Sequence, residues 1–71
     1  MRKWLKQKRL EKGYTLRQLA EIVGVSEQSL SYYENGDRLP MPKIAMALGK
    51  ALDFDWTIFY KEGEAADGNG E

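Results

Sequence analysis

The stretch from Thr15 to Gly36, TLRQLAEIVGVSEQSLSYYENG, limits the fold of this chain more than any other. Thr15 followed three residues later by Gln18 is a capping-box pattern, so a helix is expected to start there. Leu16, Leu19, Ala20 and Val23 then recur at helical spacing, and Gly24 ends the run. After the single Val25, Ser26 stands where it can cap a second short helix, on which Leu30 and Tyr33 share a face. Asn35-Gly36 stops that helix, since both residues tolerate the left-handed backbone. Two helices joined this tightly must cross at close range. Ala20 sits at the crossing, where a larger side chain would push them apart; Gly24 permits the sharp turn; Val25 and Leu30 fill the wedge.

The flanking segments add helices to this helix-turn-helix arrangement. MRKWLKQKRLEKG is rich in helix formers, carries Trp4, Leu5 and Leu10 as a partial apolar stripe, and closes at Gly13. Beyond the loop DRLPM, Pro42 suits the first turn of a helix over PKIAMALGKALD, which turns Ile44, Ala45, Leu48, Ala51 and Leu52 toward a core. Gly49 inside it costs roughly 1 kcal/mol of propensity. Either a neighbouring helix approaches closely there, or the glycine is a weak spot without a role. Asp55 can cap a last short helix, WTIFY, with Phe54, Ile58 and Phe59 as core candidates. No strand alternation of useful length appears. The expected fold is all-α, a compact five-helix bundle forming one domain over residues 1–60, followed by an acidic, Gly-rich, disordered tail over 61–71.

Composition removes most alternatives to a binding role. The 71 residues include no cysteine and no histidine, which excludes disulfides, thiolate nucleophiles, imidazole acid–base catalysis and the usual zinc sites. No nucleophile–base pair or metal site can be assembled, so no enzyme and no cofactor are expected. No apolar run approaches the ~18 residues of a membrane span, and a cytoplasmic setting is the default expectation. The formal net charge of zero conceals an uneven distribution. Residues 1–60 carry ten Lys/Arg against seven Asp/Glu, and the tail one Lys against four acids. Six of the bases fall within the first twelve residues. The folded part is thus mildly basic.

The ordered series LAEIVGVS, the Leu30 slot, YENG, the basic residue and proline of DRLP, and KALDFDWTIFY resembles the phage repressor/Cro family of helix-turn-helix regulators, also called the xenobiotic-response-element type. The resemblance runs from about Leu5 to Tyr60. It implies a lambda-repressor-like domain that binds double-stranded DNA sequence-specifically as a repressor-like transcriptional regulator of phage or mobile-element type. One departure stands out. The family often places Gln at the first position of the first motif helix, where it touches a phosphate, and this chain has Leu16.

At ~100° per residue, a recognition helix over 27–35 points Gln28, Ser31 and Tyr32 away from Leu30, Tyr33 and Glu34, with Glu27 at the N-terminal edge. Amide, hydroxyl and phenol groups suit base edges in a major groove: Gln can pair with adenine N6/N7, and Glu with cytosine N4. Glu27 is therefore either a base reader or a group that steadies the helix N-terminus and excludes wrong sites. Candidate phosphate contacts are Arg38, Asn35, Thr15, Arg17 and Lys43, aided by the open helix N-termini at Thr15 and Ser26. Tyr33 is expected in the core. The resemblance further implies an ion pair between Arg9 and Glu34, structural in role. Half-sites one helical turn apart, ~34 Å, need a two-fold dimer on a palindromic operator. Trp56 and Tyr60 are either the dimer patch or simple core and rim. No membrane partner and no small-molecule ligand is evident. A second reading keeps the scaffold but turns the recognition face toward protein, as an antitoxin or anti-repressor module would; Leu16, Glu27 and the low charge favour it.

Overall fold

The computed structural model describes residues 2–61. Four α-helices, α1 (Lys3–Glu11), α2 (Leu16–Val23), α3 (Glu27–Asn35) and α4 (Pro42–Leu52), precede a single helical turn at 58–61 that forms the fifth helical element. No strand occurs among the described residues. The acidic tail lies outside them from residue 62 onward, and Lys61, assigned to that tail, belongs to the terminal turn.

Local hydrogen bonds set each boundary. Helix α1 closes in a Schellman motif, with Tyr14 N–H on the Arg9 carbonyl (3.2 Å), Gly13 N–H on that of Leu10 (3.0 Å), and Gly13 at φ +79°. Helix α2 opens in a reciprocal capping box. Gln18 N–H donates to Thr15 Oγ1 at 3.0 Å, and Thr15 N–H to Gln18 Oε1 at 2.9 Å. The Ala20 carbonyl then accepts from both Gly24 and Val25 N–H, each at 2.9 Å, which folds the turn back on α2. Ser26 Oγ receives the Ser29 N–H at 3.0 Å and caps α3.

Leu5, Leu19, Ala20, Val23, Leu30, Ala45, Leu48, Leu52 and Phe59 form the buried core. Helix α2 packs on α3 and α4, and α1 packs on α3. The core is narrower than periodicity alone indicates. Tyr33, Ile44, Ala51 and Phe54 are half-buried and lie against it, and Ile58 is half-buried too. Tyr33 stands two residues from the end of α3, at the edge of the core rather than inside it. Trp4 joins Phe54 and Phe59 in an aromatic cluster, with centroids 5.3 and 5.2 Å from Trp4.

The end of α4 departs from the expected helix PKIAMALGKALD. Asp53 is not helical but takes the left-handed cap, φ +62°. The chain then doubles back, with Phe54 N–H on the Gly49 carbonyl at 2.9 Å. The close neighbour of Gly49 is therefore this returning segment rather than another helix. A Cβ on Gly49 would stand 2.7 Å from the Phe54 carbonyl oxygen and 3.1 Å from Trp56 Cβ. The last helix also starts later than WTIFY, at residue 58, because Asp55 holds Thr57 in the turn that precedes it. Its Oδ1 accepts from Thr57 N–H (3.0 Å) and Thr57 Oγ1 (2.7 Å), and these bonds, the hydroxyl's foremost, hold its carboxyl below the usual range.

Candidate nucleic-acid interface

Helix α3 turns Leu30 and Glu34 inward, so its polar residues are left on the opposite side. Glu27 and Gln28 are exposed, and Ser31 and Tyr32 half-buried. These side chains are already bonded to one another. Gln28 Nε2 donates to Tyr32 Oη at 3.0 Å, and Asn35 Nδ2 to Ser31 Oγ at 3.4 Å, both across one helical turn. The Arg38 guanidinium lies 4.7 Å from the Tyr32 ring centroid, in cation–π range. Tyr32 is thus the joint between Gln28 on the helix and Arg38 on the loop that follows. The Gln28 amide keeps its second N–H and its carbonyl oxygen for an outside partner.

The rear of α3 is fixed by an ion pair. Arg9 Nε donates to Glu34 Oε2 at 2.7 Å and Nη2 to Oε1 at 3.3 Å, with both side chains under one-tenth exposed. Arg9 Nη1 also donates to the Tyr14 carbonyl at 2.9 Å, tying the pair to the turn that leads into α2.

The remaining candidates sit around this face at different depths. Thr15 uses its N–H and an oxygen lone pair within the capping box, and the N–H groups of the first α2 turn lie beside it. Arg17 is exposed and 3.6 Å from Glu21, a surface pair that holds it weakly. Lys43 is exposed on the first turn of α4. Trp56 and Tyr60 lie elsewhere, edge to face with centroids 6.0 Å apart. Tyr60 Oη donates to the Pro40 carbonyl at 3.1 Å, so that residue closes the terminal turn over the loop before α4.

The basic N-terminal run is not a single solvated face. Arg9 is in the ion pair, Lys8 reaches to 5.9 Å from the Phe54 ring, and Arg2 is 7% exposed. Arg2 N–H donates to the Glu34 carbonyl at 2.8 Å, and its Nη1 donates to the carbonyls of Tyr33 and Arg38, the latter at 2.8 Å. Sequence reasoning missed this residue. It precedes the first helical position, so no periodicity separates it from Lys3 or Lys6. Ser29, whose Oγ accepts from Ser26 Oγ at 3.1 Å, was also missed, though a serine three residues after a cap was a readable signal. Among the described residues no group of acidic side chains is placed to hold a metal ion, and no helix is long and apolar enough to cross a membrane.

The helix-turn-helix family model matches residues 5–59. An uncharacterized HTH-type transcriptional regulator of Bacillus subtilis, YqaF, is 42% identical over 62 residues, spanning 87% of this chain and 82% of that protein. Putative HTH-type transcriptional regulatory proteins of Pyrococcus abyssi and Pyrococcus horikoshii are 43% and 39% identical over 51 residues. Those matches span 72% of this chain but 16% of each archaeal protein. No solved structure matches.

Proposed function

This chain belongs to the helix-turn-helix family, and from that premise we propose that it binds double-stranded DNA sequence-specifically, as a repressor-like transcriptional regulator with α3 in the major groove. The observation that carries the reading is the Gln28–Tyr32–Arg38 array. It presents an amide and a phenol to base edges and a guanidinium to the adjacent backbone, on a helix whose opposite side is locked by Arg9 and Glu34.

Gln28 reads adenine through its carbonyl oxygen and second N–H, and Tyr32 and Ser31 make the neighbouring contacts. Glu27, at the exposed N-terminal edge, accepts from cytosine N4 or repels sites lacking that donor. Arg38, Asn35, Thr15, Arg17 and Lys43 clamp phosphates and set the register without reading sequence. No cofactor takes part, and the protein acts in the cytoplasm. Two copies occupy a palindromic operator of phage or mobile-element type, meeting at the edge formed by Trp56 and Tyr60, so that their α3 helices lie ~34 Å apart.

A protein partner for the same face is the competing reading, favoured by the exposed Glu27 carboxylate at the N-terminal edge of α3, a group that phosphates repel. Selection of binding sites from a random duplex pool separates the two. Enrichment of an inverted repeat supports operator binding by a dimer. Absence of binding to any duplex at ~50 mM salt favours the protein-interaction module.

A further inference from the structure

Arg2 is a buried cation at the end of the recognition helix. The last carbonyls of α3 lack partners within the helix. That of Tyr32 is met by Asp37 N–H at 2.9 Å and Arg38 N–H at 3.4 Å, and that of Tyr33 by Gly36 N–H at 3.4 Å. Arg2 adds two more bonds there, its main-chain N–H donating to the Glu34 carbonyl and its Nη1 to that of Tyr33. A positive group at a helix C-terminus is also favoured by the aligned peptide dipoles. The guanidinium lies 5.4 Å from the Phe59 ring centroid, which connects it to the core.

The same Nη1 donates to the Arg38 carbonyl at 2.8 Å. Arg38 is therefore gripped at both main-chain polar groups, its N–H by Tyr32 and its carbonyl by Arg2. With its backbone fixed, its guanidinium rests 4.7 Å from the centre of the Tyr32 ring. A long cation held in one place loses less rotamer freedom when it meets a phosphate than one that samples solvent.

We propose that Arg2 is a positioning residue for DNA recognition: shielded from the nucleic acid, it fixes the backbone of Arg38 so that the Arg38 guanidinium is presented from the Tyr32 ring. The inference rests on the DNA-binding reading above, and its own geometric content can be measured without DNA.

The test compares the parent with Arg2→Met, Arg2→Lys, Arg38→Ala and the Arg2→Met/Arg38→Ala double variant, all at a temperature where circular dichroism shows each fully folded. In the parent, the Arg38 side-chain protons should show an upfield ring-current shift from Tyr32 in NMR spectra. Arg2→Met should abolish it and Arg2→Lys should restore part of it. On a random duplex, Arg2→Met should lessen the salt slope of binding by about 1 and weaken binding on the order of five-fold at 0.15 M salt, as should Arg38→Ala. The double variant should bind no worse than Arg38→Ala alone.

A lowered melting temperature with an unchanged ring-current shift and salt slope would overturn the proposal, since Arg2 would then be structural only. Additive losses in the double variant would overturn it as well. Should Arg2→Met not fold, Arg2→Lys carries the comparison, and parent-like salt slope together with a lost ring-current shift in that variant would contradict the proposed link. Should the parent bind no duplex, the DNA-binding reading fails and the recognition role with it. The ring-current comparison still decides whether Arg2 places Arg38.

Discussion

Arg9 and Glu34 join α1 to α3 through two hydrogen bonds, of 2.7 and 3.3 Å, in a site where both side chains are almost wholly withdrawn from water. Removing one partner leaves the other charge buried without compensation. Arg9→Met is expected to lower unfolding stability by about 3–5 kcal/mol, measured by urea denaturation with tryptophan fluorescence. Replacing both residues with apolar ones of similar volume should recover most of that loss. A loss below about 1 kcal/mol for Arg9→Met would show the pair to be replaceable by water.

Gly49 offers a second test, in which local propensity and packing oppose each other. Alanine is the better helix former by roughly 1 kcal/mol, so Gly49→Ala would stabilise a helix with open space at that point. Here the added methyl meets the Phe54 carbonyl oxygen at 2.7 Å, a main-chain atom that cannot swing aside. Net destabilisation of about 1–3 kcal/mol is expected from the forced backbone shift. A raised melting temperature would mean that the segment after α4 yields at little cost.

Tyr32 makes two contacts through different parts of one side chain. Tyr32→Phe removes the hydroxyl that holds the Gln28 amide while keeping the ring beneath Arg38. Under the proposed base reading, discrimination at the position assigned to Gln28 should fall, by up to about 1–3 kcal/mol, with the salt slope unchanged. Tyr32→Ala should reduce both discrimination and slope. Binding curves on the selected site and on random duplex, each over a salt series, give the two quantities.

The Asp55 carboxyl provides a pH dependence with a definite sign. Its pKa is depressed in the folded state, chiefly by the Thr57 hydroxyl bond and then by the Thr57 N–H. Its contribution is therefore complete above the unfolded value near 3.8 and declines as pH falls through the lower folded value. Thermal melts from pH 6 to pH 2 should show Asp55→Asn losing less stability than the parent below about pH 4. Parallel curves would remove Asp55 from the acid response.

The elements that could be read from sequence are those whose cause is local. Thr15 with Gln18, Ser26, and the glycines at 13, 24 and 36 end helices through bonds spanning a few residues, and each boundary lies where those residues stand. Helical angle likewise separates Tyr32 from Tyr33 and sends Glu34 inward. What could not be read depends on distant partners. Nothing near Arg2 announces that carbonyls more than thirty residues away will enclose it. Gly49 signals close approach, but the approaching atoms belong to a reversal that Asp53 makes by taking a left-handed backbone. The Gln28–Tyr32–Arg38 joint was half visible: i to i+4 spacing allows the first contact, whereas the second needs the loop conformation that Arg2 and the Tyr32 carbonyl impose.

The central proposal is that the outer face of α3 reads bases, and Gln28→Ala tests it most directly. Affinities of parent and variant are compared on the selected operator and on random duplex at a fixed salt concentration. The expected result is a loss equivalent to about 1–3 kcal/mol on the operator alone, with random-duplex affinity and salt slope unchanged. Equal affinity of parent and variant for the operator, or an equal loss on both duplexes, would contradict base reading by this helix.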